Sequence, residues 1–114
     1  MAIAVTATKN TLVTAYIGAG TWLSLHTADP GTTGTSEATG GSPAYARKQT
    51  SWGGASGSAS TGSQVTFDAP AGTYTFVGLW SASTAGTFID KVAITSTTLG
   101  AQGQILVTPT FTES

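Results

Sequence analysis

The chain contains no cysteine among its 114 residues, so neither a disulfide framework nor a thiolate metal centre can supplement its core. It is almost as poor in charge, with 8% Asp, Glu, Lys and Arg against about 25% in ordinary soluble domains. The four basic residues, Lys9, Arg47, Lys48 and Lys91, are dispersed apart from one adjacent pair. No basic stripe exists to displace counterions from phosphates, which argues against nucleic acid as a partner. No apolar run approaches the ~20 residues of a membrane span. The start, "MAIAVTATKN", lacks the basic region and the apolar length of a signal peptide. These absences lead to the expectation of synthesis in the cytoplasm and of no membrane partner.

What fills the space is hydroxyl and glycine: 12 serines, 23 threonines and 15 glycines. A formal net charge of -1 is close enough to zero to favour association at high concentration. In "TKNTLVTAYIGAG", Leu12, Val13, Tyr16 and Ile17 trace the face of a short helix, with Thr8 as expected N-cap and Gly18 or Gly20 as stop. "TWLSLHT" alternates so that Leu23 and Leu25 point inward. Residues 28–43 form a long loop of turn residues, opened by Asp29-Pro30-Gly31 and closed by Pro43. Residues 44–52 read as extended but too polar for a central strand.

"GGASGSASTGS" could be a linker, but there is too little chain on either side for two domains, so a polar edge hairpin is the better reading. "QVTFDAP", "TYTFVGLWSA", "GTFIDKVAIT" and "GQILVTPTF" complete the set, with Pro109 suited to an edge or bulge. About six or seven strands with turn signals and no helices between them predict an all-β, antiparallel sandwich or small barrel with one N-terminal helix, as a single domain.

No residue set rises to a catalytic or metal-binding constellation. His26 is the sole histidine and cannot fill a zinc site alone; its expected role is to bond the start of the loop, with Asp29 forming an Asx turn. Asp90 beside Lys91 reads as a surface cross-strand ion pair. There is no G-x-S-x-G elbow and no phosphate-cradling glycine motif. Neither a cofactor nor an enzymatic activity is expected. Trp22, Trp52 and Tyr45 are candidates to meet a glycan, and Trp80 is more simply core or interface filling. With His26, Asp29 and Arg47 they make up the candidate interface, because aromatics with one polar handle anchor protein contacts.

"LHTADPG", "GGSPAYAR", "FDAPAGT" and "VGLWSA" followed by "GTF" resemble a family of small virion proteins of tailed phages that infect actinobacteria, labelled tail fibre-like or minor structural proteins. The resemblance implies a particle component made in the host cytoplasm, with no catalytic residues. Lacking heptads or a fibrous repeat, the chain reads first as a capsid decoration (cement) protein, a homotrimer bound to the major capsid protein or other virion proteins. The alternative is a tail fibre or minor tail protein attaching to host glycan. On the cement reading, the tract from Ala28 to Ser42 gains order by lying across a neighbouring subunit.

Overall fold

The computed structural model describes residues 3–113; Met1 and Ala2 of the apolar start lie outside the described residues. Helix α1 (Thr6–Ala19) precedes strands β1 (Trp22–His26), β2 (Lys48–Gln49), β3 (Ala59–Thr61), β4 (Val65–Ala69), β5 (Gly72–Trp80), β6 (Phe88–Leu99), β7 (Gly103–Val107) and β8 (Thr110–Thr112). The fold is antiparallel and mostly β, as the pattern predicts. It is a two-layer sandwich left open along one side.

One layer is a four-stranded sheet in the order β2-β1-β5-β6. The other is a bent two-stranded ribbon, in which β4 pairs with β7 and β3 with β8. The bend falls where Pro109 cannot donate to the ladder; its carbonyl instead accepts from the Gly62 amide at 2.8 Å. Leu23 and Leu25 of β1, Val77 and Leu79 of β5, and Val65, Phe67 and Ile105 of the ribbon meet between the layers. The Gly-Ser tract at 53–63 is an edge hairpin, closed by a Ser56–Ala59 bridge and by the Gly53 amide donating to Thr61 O. Of residues 44–52 only Lys48 and Gln49 are strand, because β2 has just two partners on β1.

Helix α1 starts two residues before the expected cap. Val5 occupies the N-cap without a side-chain bond, and Thr8 lies exposed inside the helix. The helix stops at Gly20, whose backbone is extended and whose Cβ, if it had one, would sit 2.6 Å from the Trp80 carbonyl oxygen. Close approach, not left-handedness, selects glycine there. The helix docks on its own domain through buried Val13, through Tyr16 stacked on Phe111 at 3.6 Å, and through Asn10 Oδ1, which accepts from the Ser58 amide.

The tract at 28–43 departs most from expectation. It folds back over the outer face of its own sheet instead of depending on a neighbour. The Ala38 amide donates to Leu25 O at 2.9 Å and the Thr27 amide to Ser36 O at 3.0 Å, while Pro30 O accepts from the Gly34 and Thr35 amides. Pro30 and Ala38 are buried. The tract's small residues let it lie flat: Gly34 has φ +79, and a Cβ there would overlap the Trp80 ring at 2.3 Å. In consequence β1 is buried on both faces. Gly34→Ala should cost roughly 2–4 kcal/mol, from left-handed strain plus overpacking, read as a fall in the urea midpoint at unchanged m-value.

Candidate functional site

Beneath that tract lies a hydrogen-bonded cluster assembled from four segments. On the outer face of β1, Ser24 and His26 stand one above the other. Gly78 of β5 faces them, because a Cβ there would lie 2.5 Å from Ser24 Oγ and 2.8 Å from His26 Nε2. His26 Nδ1 is 2.8 Å from the Thr35 carbonyl oxygen, an acceptor only, so Nδ1 carries the proton and Nε2 accepts from Ser24 Oγ at 2.7 Å. Ser24 Oγ in turn accepts from Trp80 Nε1 at 2.9 Å. The relay fixes the tautomer and leaves none of its polar atoms unpartnered.

A serine within hydrogen-bond reach of a histidine invites comparison with a nucleophile and its base. Here both residues are 0% exposed, the histidine is oriented by a carbonyl where a triad has a carboxylate, and the serine hydroxyl is taken up by the tryptophan. The pair is a structural relay closed to substrate.

Arg47 is the second element. Its Nε and one terminal nitrogen donate to the two Glu37 oxygens at 3.0 and 2.9 Å. The other terminal nitrogen donates to the Ala82 and Ala85 carbonyls in the β5–β6 turn at 3.1 and 2.8 Å. The guanidinium carbon lies 3.6 Å from the Trp80 ring centroid, a cation stacked on an aromatic face. The Arg47 and Glu37 side chains are only 9% and 22% exposed, which sets this pair apart from a solvated surface bridge. Tyr45 Oη donates to Glu37 Oε2 at 2.8 Å and accepts from the Leu25 amide at 3.1 Å.

Burial alone would raise the Glu37 carboxyl, but bonds from Arg47 and Tyr45 outweigh it and hold the group below its ordinary value of 4.5. Burial, with Glu37 as acceptor, pushes the Tyr45 hydroxyl upward. Burial lowers the His26 pKa from its ordinary 6.5, against the opposing pull of the Thr35 carbonyl and of Glu37.

Of the candidate interface residues, the structure therefore gathers His26, Tyr45, Arg47 and Trp80 into one cluster. It faces inward: His26 is 0% and Trp80 7% exposed, sealed by the tract that was expected to reach outward. Trp22 is half-buried on the same face of β1. Asp29 forms the expected Asx turn, accepting from the Gly31 amide at 2.9 Å. It also pairs with Lys91, and the bonds from Lys91 and Gly31 lower its pKa. The expected Asp90–Lys91 pair does not form, since neighbours on a strand point to opposite faces; Asp90 Oδ2 instead accepts from Tyr16 Oη at 2.7 Å. Trp52 lies apart, its indole donating to Gly20 O and its ring edge-on to Tyr16.

Sequence reasoning missed Glu37 and Ser24. An acid ten residues before the only arginine was the available signal for the first. Ser24 carried none.

The relay sets an acid limit on stability. His26 binds protons more weakly folded than unfolded, so its contribution is complete above pH 6.5 and is lost as pH falls from there toward the folded pKa. Glu37 adds a second loss below pH 4.5. In His26→Gln the first loss should vanish and the second remain, measured as melting temperature against pH. Arg47→Ala should cost about 3 kcal/mol, because it leaves a part-buried carboxylate uncompensated, measured by urea denaturation at neutral pH.

Among the described residues no group of three or more His, Asp or Glu side chains is placed to hold a metal ion, and no helix is long and apolar enough to cross a membrane. No curated protein matches the chain. The family described as "Podophage GP4 fiber I protein gp80" matches residues 4–112, nearly the whole length. The chain belongs to this family of bacteriophage structural proteins.

Proposed function

We propose that the protein is a tail fibre component of a phage particle, present in several copies and acting by contact, without transforming any molecule. The family match over residues 4–112 carries this reading. It reverses the order in which the sequence ranked the two alternatives, setting the fibre above the capsid decoration protein. The molecule's shape suits it: 47 × 25 × 25 Å is an elongated body, so even a short chain gives reach when copies are joined. The chemistry agrees as well, because Ser24 and His26 are fully buried and the part-buried Arg47–Glu37 ion pair is spent on holding the tract. Partners in this reading are further copies of the chain and other virion proteins, and the resemblance noted in the sequence points to an actinobacterial host.

Attachment to glycan draws less support from the geometry. Flat sugar platforms need a free aromatic face, whereas Tyr45 is stacked on Phe67, Trp52 is held by Gly20 and Tyr16, and Trp22 is half-buried. Immunogold labelling of intact particles distinguishes the two virion locations. Labelling at the tail, with a copy number far below that of the major shell protein, is the expected result. Labelling spread over the head at high copy number would return the decoration reading to first place.

A further inference from the structure

The four-stranded sheet is wider than the ribbon that covers it. At ~4.8 Å between neighbouring strands, four strands span about 14 Å and two about 5 Å. Coverage therefore runs out before β6. Residues directly opposite on paired strands share a face, and Val92 stands opposite Val77, which is 4% exposed in the core. Val92 thus points to the core side of the sheet, yet it is 59% exposed. Beside it opens an apolar groove of about 460 Å³, floored by Val77 and Leu79 and walled by Ile94, Val107 and Phe111. Among the described residues, β6 pairs only with β5 and β7 only with β4, so a free strand edge runs along each lip.

Tyr16 also lines the groove. Leu12, one helical turn before it on the same stripe, is 41% exposed and continues the apolar surface onto α1. The charged side chains lining the groove are already engaged within the chain, Asp90 by Tyr16 and Lys91 by Asp29.

We infer that this seam is the surface through which one copy of the chain meets a second. This deepens the fibre reading and rests on it for the need of repeated copies. Two features favour a like partner. Charge on the seam is sparse, in a chain whose net charge is -1: Lys91 is balanced by Asp29, and the one carboxylate without a cation, Asp90, is hydrogen-bonded by Tyr16, so like-charge repulsion between copies is confined to a single group. A flank of 47 × 25 Å also has room for the roughly 800 Å² per partner that stable interfaces bury. The free edges of β6 and β7 supply unpaired backbone groups, which a second copy can satisfy by strand addition.

The test is the mass of the purified chain by light scattering, with hydrogen exchange on residues 90–94. Wild type should be oligomeric and protected there. Val92→Asp and Leu12→Asp, both at exposed positions, should each yield folded monomers that have lost that protection. Leu106→Asp is the control: its side chain is 56% exposed on the other face of β7 from Val107, and it should leave the oligomer intact. A monomeric wild type, or an oligomer that survives Val92→Asp but dissociates with Leu106→Asp, overturns the inference. Tail labelling of the particle is read independently, so a monomer found at the tail would sink the seam and spare the fibre reading, and an oligomer found on the head would do the reverse.

Discussion

A guanidinium stays charged at any pH a protein survives, so enclosing Arg47 obliges the chain to bring acceptors to it. That obligation organises the outer half of the molecule. Glu37 supplies two acceptors, which requires the tract after β1 to turn back along the sheet. The Ala82 and Ala85 carbonyls supply two more, which pins the β5–β6 turn against the same side. Ala85 sits at φ 55, a left-handed conformation costly to a side chain, and its carbonyl takes the shorter of the two bonds from that nitrogen. One side chain therefore ties together three segments distant in sequence, and the Trp80 ring beneath it gives the charge a polarised face to lie on.

The consequence is an uncommon division of labour across β1. Its inner face is aliphatic and packs as any core does. Its outer face carries Ser24 and His26, buried completely, where apolar side chains would have sufficed to exclude water. Such networks are costly when incomplete. This one is closed, for among the described residues no buried side-chain nitrogen or oxygen lacks a partner. The abundance of serine and threonine fits the same logic. Hydroxyls satisfy backbone groups, as Thr50 Oγ1 does for Ser63 O, without adding formal charge.

The inner layer was legible in the sequence because it is written with period two: Leu23 and Leu25 on β1 and Val65 and Phe67 on β4 occupy the core their alternation assigns. The Gly-Ser hairpin was legible from chain length alone. The outer layer was not. A tract of glycine, threonine and proline offers no periodicity, and what holds it down is a set of pairings between residues nine to fifty-six positions apart. Composition reads such a tract as protruding because its side chains bury little. Here the backbone is what packs, and glycine at position 34 matters for what it leaves out. The helix start was misplaced by three residues for a related reason: Thr8 is a good cap by type, but α1 begins where Val5 turns the chain, with tertiary contacts at Tyr16 and Asn10 outweighing the local signal.

The open seam follows from the geometry of β6. Only three residues, Gly100 to Gln102, separate it from β7, a length at which consecutive strands ordinarily pair as a hairpin. They splay instead. Two register irregularities against β5, near Tyr74 and near Leu79, place extra residues on β6 and bend it along its partner. Following β5 in this way commits β6 to the four-stranded sheet, while β7 is committed to β4 in the ribbon, so the two layers part where the chain could most easily have joined them. What would have been the last strand pair of a closed barrel is a cleft with core residues on its floor. Among the described residues, the part-buried Arg47–Glu37 pair helps to seal one face of the sheet, while aliphatic side chains such as Val92 stay uncovered on the other. The outer face is closed over by the chain's own tract, and the inner one keeps apolar surface already gathered and oriented, whose burial would cost little entropy.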